Sequence, residues 1–178
     1  VYKLKEMDEK LGLFKGDNLK VLDLGAAPGS WSLYILRKLK NVSLVSVDLN
    51  PLSRNCDEGL FDGGNFSFIQ GDFTLQEIRE AVISTGPYNI LISDAAPNTA
   101  GNRTLDSLRS IDLAEIALDF ANSTLIKGGK LVIKIFQGPG SDLFIQTMRT
   151  SFENVKTMKP KACRPGSFEV YCIGLGKK

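Results

Sequence analysis

The chain has 178 residues, enough for one domain with a substantial core and too few for two full modules. Hydrophobic residues make up 43% and charged residues 24%, which excludes a disordered or collagen-like chain. Net charge is only +2 and histidine is absent, so Ser-His-Asp and Cys-His triads and histidine-ligated metals are excluded. Cys56, Cys163 and Cys172 have no metal-ligand spacing, and three is an odd number. Neither a disulfide framework nor a zinc site is indicated, and a reducing, cytoplasmic compartment is expected. No apolar run approaches the roughly 18 residues that span a bilayer, so no membrane partner is expected. The chain opens on Val1, and a further segment is expected upstream of it.

In chain order, Lys3–Phe14 reads as a helix leading into a strand at Lys20–Leu24. Trp31, Tyr34, Ile35 and Leu39 follow the i, i+3, i+4, i+8 spacing of a helix. Short apolar or β-branched strands follow at Leu44–Asp48, Phe66–Gln70 and Asn89–Ser93. Pro97–Arg109, rich in Asn, Thr and Gly, reads as a mobile loop, and Leu105–Leu125 carries helical spacing. Lys130–Phe136 is a strand, and Phe144, Ile145, Met148 and Phe152 mark a further helix. Asn154–Met158 and Phe168–Leu175, about ten residues apart, read as a hairpin that puts an antiparallel strand at one side of the sheet. Alternating strands and helices predict an α/β fold: a mostly parallel seven-stranded sheet with one antiparallel strand and helices on both faces.

Asp23-Leu24-Gly25-Ala26-Ala27-Pro28-Gly29-Ser30-Trp31 joins the first strand to a helix. Small residues let the backbone approach a ligand, and Pro28 suits a first helical turn. The loop is neither G-x-G-x-x-G nor a P-loop, so no phosphate cradle is expected, and a dehydrogenase is disfavoured. Asp23 is expected at the mouth of this loop, beside Gly25. Asp48 stands where a carboxylate meets ribose hydroxyls in βαβ folds, and Asp72 follows the third strand. A single aspartate after a strand is ordinarily a cap. Three beside a Gly-rich turn suit a cationic adenosyl ligand such as S-adenosylmethionine.

Lys134 interrupts an otherwise buried strand, where an ammonium is costly unless paired. Asp94 lies just past Asn89–Ser93, and Glu169 begins the last strand. Parallel strands end where an antiparallel strand begins, so Asp94, Lys134 and Glu169 are expected at one edge of the sheet. From Glu153 to Lys178, six basic residues stand against two acidic ones, a surface able to meet phosphate.

These stretches resemble the FtsJ/RrmJ-type RNA 2′-O-ribose methyltransferases. The likeness is carried by Val21–Ser32, Val47-Asp48-Leu49, Gln70-Gly71-Asp72-Phe73, Ser93–Asn98, Lys134–Gly138 and Glu169-Val170-Tyr171, in the family's order. The resemblance implies a catalytic tetrad of Lys3, Asp94, Lys134 and Glu169, with Lys3 matched through Tyr2-Lys3-Leu4. It implies cofactor contacts at Gly29, Trp31, Asp48, Asp72 and Asp94. It further implies a Rossmann-like fold, with residues 1–178 forming one methyltransferase domain that lacks the family's basic N-terminal segment. The implied reaction moves a methyl group from S-adenosylmethionine to a ribose 2′-hydroxyl, foremost a uridine of large-subunit ribosomal RNA. No metal is expected, and a monomer is. RNA, free or in an assembled subunit, is expected to meet Lys156, Lys159, Lys161 and Arg164, with Arg103 and Arg109. Two alternatives stay open: methylation of an mRNA cap or tRNA ribose, and a non-catalytic RNA-binding module.

Overall fold

A computed structural model describes residues 1–178. Its helices are α1 (Tyr2–Leu11), α2 (Ser30–Lys38), α3 (Gln76–Ser84), α4 (Arg103–Thr124) and α5 (Ser141–Ser151). Its strands are β1 (Leu19–Leu24), β2 (Val42–Asp48), β3 (Phe66–Gln70), β4 (Tyr88–Ser93), β5 (Leu125–Phe136), β6 (Phe152–Met158) and β7 (Glu169–Lys177). They form one seven-stranded sheet in the order β3-β2-β1-β4-β5-β7-β6. Only β7 runs against the rest, pairing antiparallel with both β5 and β6. The antiparallel strand therefore lies inside the sheet, and the outermost strand on that side is β6.

The chain winds outward from β1 through β2 to β3, then returns to place β4 on the other side of β1. Such a reversal opens a crevice at the carboxyl ends of the two central strands. One core cluster holds Leu4, Met7, Trp31, Ile35 and Tyr171, so α1 and α2 cover one face. The other holds Val82, Phe120, Phe144 and Met148, from α3, α4 and α5. Leu4 and Met7 of α1 are fully buried. At roughly 1.5–3 kcal/mol for each large apolar side chain, they fasten α1 to the sheet and with it the neighbouring Lys3.

The start of α4 is tied to the end of β5. Ser107 Oγ donates to the Phe136 carbonyl (2.9 Å), and Ser110 Oγ accepts from the Phe136 amide (2.9 Å). Asn102 caps α4 by accepting from the Leu105 amide (3.1 Å), so the stretch expected as a loop through Arg109 turns helical at Arg103. Pro28 lies outside helix α2, whose N-cap is Gly29 with φ 106. Helix α3 has no counterpart in the sequence reading: its apolar stripe of Ile78, Ala81 and Val82 is short, and only Val82 is fully buried.

Candidate active site

A cavity of about 470 Å³ opens over the carboxyl ends of β1, β2, β3 and β4. Its polar lining includes Asp48, Asp72, Asp94 and Asn98, and its apolar walls are Leu49, Phe73 and Leu113. No lysine or arginine lines it, so no side-chain cation faces a ligand there. Gly25 shapes the floor. Its φ is +75, and a Cβ there would lie 2.7 Å from Ala95 Cα, so only glycine lets the two backbones approach. Asp48 holds the loop from the second strand, accepting from the Ala27 amide (2.9 Å) and the Asn50 amide (2.8 Å). Asp72 accepts from the Thr74 amide (2.9 Å) and hydroxyl (2.7 Å) through Oδ1. The capping and ligand readings are therefore compatible, since each carboxylate keeps acceptor capacity toward the cavity.

Beside this cavity lies an ionic cluster. Lys134 projects from β5, opposite Tyr171 of β7, while Glu169 pairs with Phe136 two residues nearer the strand end. Alternation puts Lys134, Tyr171 and Glu169 on one sheet face. Lys134 is 8% exposed. Its Nζ donates to the Asp94 carbonyl at 2.7 Å and lies 3.2 Å from Asp94 Oδ1. Lys3 Nζ donates to Glu169 Oε2 at 2.7 Å, joining α1 to β7. Burial opposes the charge on Glu169, but the Lys3 hydrogen bond and the Lys134 charge outweigh it and hold the carboxyl below its usual range. Burial likewise opposes the Lys3 ammonium, and Glu169 and Asp94 more than offset it, raising its pKa. Asp94 is the hinge of the arrangement: it lines the cavity and also holds Lys134.

Several expected site residues lie elsewhere. Asp23 is wholly buried beneath the loop rather than at its mouth; Ser32 Oγ donates to its Oδ2 (2.7 Å) and is linked onward to Ser46 Oγ (2.9 Å). Its Oδ1 has no partner, and burial pushes the carboxyl up to about 7. The cause is its place on a central strand covered on both faces. Gly29 and Trp31 do not line the cavity. A Cβ on Gly29 would meet Phe61 at 2.8 Å, and Trp31 packs against Tyr171 with ring centroids 5.9 Å apart. In the sequence, Tyr171 is marked only by the stretch Glu169-Val170-Tyr171. Its hydroxyl donates to Asp94 Oδ1 at 2.8 Å, and burial raises its pKa. The one sequence signal was a tyrosine two residues from Glu169, on the same face. The basic residues divide: Lys159, Lys161 and Arg164 are exposed in the β6–β7 loop at the cavity edge, whereas Lys177 ends β7 at the opposite edge.

This geometry can be set beside known proteins. A family model described as FtsJ-like methyltransferase matches residues 1–177. The chain is 47% identical to "Ribosomal RNA large subunit methyltransferase E" of Treponema denticola, covering 100% of this chain and 87% of that protein. It is 42% identical to the protein of that name in Borrelia duttonii, covering 97% of this chain and 86% of the relative. Among solved structures, one assigned as a ribosomal RNA methyltransferase of Plasmodium falciparum superposes with a TM-score of 0.80 at 27% identity, over 99% and 95% of the two chains. Human methyltransferase-like protein 13 in complex with SAH superposes at 0.70 and 12% identity, over 98% and 82%, a likeness of fold alone.

The chain belongs to the FtsJ-like methyltransferase family. It is an S-adenosylmethionine-dependent enzyme with a Rossmann-like fold, and its site suits that cofactor. Three carboxylates face a cavity free of basic groups, as a cationic, unphosphorylated adenosyl ligand requires, and Gly25 keeps the floor clear of a side chain. No helix is long and apolar enough to cross a membrane.

Proposed function

We infer that the chain methylates a ribose 2′-hydroxyl of large-subunit ribosomal RNA, with a uridine as the expected acceptor. In this reading residues 1–178 make up the methyltransferase domain, acting as a monomer in the cytoplasm. The observation that carries it is Lys134, an almost fully buried amine held by Asp94 at the rim of the cofactor cavity. A site for methylating a base nitrogen has no need of such a cation; a ribose hydroxyl, weakly acidic, does.

Bound S-adenosylmethionine supplies a methyl carbon already activated by its sulfonium. Asp48 and Asp72 are the groups to hold its ribose and adenine, and Asp94 borders the methyl donor. Lys134, held by Asp94, points an N–H at the acceptor 2′-oxygen and steadies the negative charge that grows there, and the hydroxyl proton passes to solvent as the oxygen takes the methyl group. Glu169 and Lys3 set the position of that lysine from the other side, Lys3 neutralising Glu169 so that the cluster stays near balance. The gain is orientation together with charge stabilisation by a donor already held in place.

The names of the relatives favour ribosomal RNA over cap or transfer RNA, and the complete ionic cluster disfavours a binding module without catalysis. The reading is tested by digesting methylated RNA to nucleosides. A 2′-O-methyl nucleoside is expected, and an RNA with a 2′-deoxy acceptor should accept no methyl group. Methylation of the deoxy substrate would identify a base as the acceptor.

A further inference from the structure

Three arginines lie over aromatic rings. Arg54 sits 5.9 Å from the Phe61 centroid, Arg79 is 4.7 Å from Phe120, and Arg103 is 5.2 Å from Phe168. The first two are neutralised: Arg54 bridges Asp57 and Asp62, and Arg79 pairs with Asp119. Arg103 has no carboxylate partner, and it is exposed. Its ring partner, Phe168, is half-buried and backed by Phe136, with ring centroids 4.8 Å apart and planes at 58°.

The position of this pair matters more than its composition. The Phe168 carbonyl accepts from the Gln137 amide (2.8 Å), which extends the β5–β7 ladder past the Phe136–Glu169 pair. Phe168 is thus bonded in sequence to Glu169 of the ionic cluster, at the carboxyl edge where Lys134 and Asp94 meet. Arg103 reaches the same spot from the start of α4, five residues after Asn98 of the cavity lining. An aromatic ring joined by an uncompensated guanidinium is the combination that holds unpaired nucleotides, the base stacking on the plane and the phosphate meeting the charge.

We propose that Phe168 and Arg103 form a stacking shelf for an unpaired nucleobase of the RNA substrate, next to the acceptor ribose. The shelf rests on the RNA reading above and adds to it a site that grips a base, through a ring that carries no charge. A duplex would bury its bases and leave the ring without a partner, so the shelf selects an opened or single-stranded acceptor region.

The full chain is assayed for methyl transfer to large ribosomal subunits and to deproteinised large-subunit RNA, with labelled S-adenosylmethionine. Phe168→Leu, which keeps an apolar side chain against Phe136, should raise KM for RNA by about 5- to 160-fold, the range of one lost base stack. Phe168→Trp should hold KM near the unaltered value. Neither should change S-adenosylmethionine affinity or the slope of RNA affinity against salt. Arg103→Ala should weaken RNA binding and reduce the salt slope by about one phosphate contact. Equal KM values for the Leu, Trp and unaltered proteins, or equal losses in Leu and Trp, would overturn the shelf while methyl transfer by the unaltered chain upholds the RNA reading. Absence of methyl transfer to either RNA by the unaltered chain would overturn the RNA reading and the shelf with it.

Discussion

Tyr171 and Lys134 converge on one oxygen: the tyrosine hydroxyl donates to Asp94 Oδ1 at 2.8 Å, and the lysine Nζ stands 3.2 Å from the same atom. They are opposite each other in the β5–β7 ladder, so the sheet register itself sets this meeting. The arrangement leaves Asp94 little freedom to turn.

Tyr171→Phe keeps the ring against Trp31 and removes only the hydroxyl. Hydrogen bonds to charged groups contribute about 1.5–3 kcal/mol, so unfolding free energy in urea should fall by up to that amount. Turnover should drop more than cofactor affinity does, because Asp94 then holds Lys134 less firmly. Unchanged turnover would show that Asp94 needs no such restraint.

The Lys3–Glu169 bridge predicts a pH signature. The Glu169 carboxyl is held below its usual range, so its contribution to stability is present above about pH 4.5 and is lost as pH falls through the lowered pKa. Lys3 has the opposite sense: its contribution is full below about 10.5 and disappears as pH rises beyond its raised pKa. The difference in unfolding free energy between the unaltered chain and Glu169→Gln should therefore be largest between these limits and shrink outside them. A pH-independent difference would mean that the bridge contributes nothing.

Asp23 behaves in the reverse manner to Glu169. Burial lifts its carboxyl from 3.8 to about 7, so the folded state holds a proton that the unfolded chain has released across that window. Stability should decline as pH rises from about 4 to 7, by on the order of 1 kcal/mol per pH unit, and then level off. Asp23→Asn, which can still accept from Ser32, should be free of this decline and more stable than the unaltered chain above pH 7. Parallel stability curves from chemical denaturation across pH would contradict the assignment.

Gly25→Ala would place a methyl against the Ala95 backbone at a left-handed φ. Strain at such a position is about 1–2 kcal/mol before any clash is counted. Unfolding free energy should fall by at least that amount, and cofactor affinity measured by calorimetry should fall as well, because relief of the clash moves the loop that forms the cavity floor. Affinity equal to that of the unaltered chain would show that the loop adapts.

Much of this site was legible before any coordinates. Lys134 in an apolar strand, Asp94 past a strand end and Glu169 at the start of an antiparallel one follow from strand direction alone; Lys134 meets Asp94, and Glu169, bound to Lys3, lies within reach of the lysine's charge. Burial was harder to read. Strand β1 is covered on both faces, so the alternation that would have marked Asp23 as inward-facing is absent. Trp31 and Gly29 sit beside the loop in sequence, yet helix α2 turns them toward Tyr171 and Phe61. The role of Tyr171 depends on a contact 77 residues away, beyond the reach of any local pattern. Helix α3 is hard to read because its apolar stripe, Ile78, Ala81 and Val82, fills barely one turn between exposed Gln76, Glu77 and Glu80.

The most direct measurement compares Lys134→Ala with the unaltered chain in two assays, methyl transfer to large-subunit ribosomal RNA and equilibrium binding of S-adenosylmethionine. Lys134 lies outside the cavity lining, so binding should persist while the rate of 2′-O-methyl formation falls by about 10²–10³-fold, the cost of one lost charge-stabilising donor. A variant that forms the 2′-O-methyl nucleoside at the unaltered rate would contradict the role of the buried amine in the transfer.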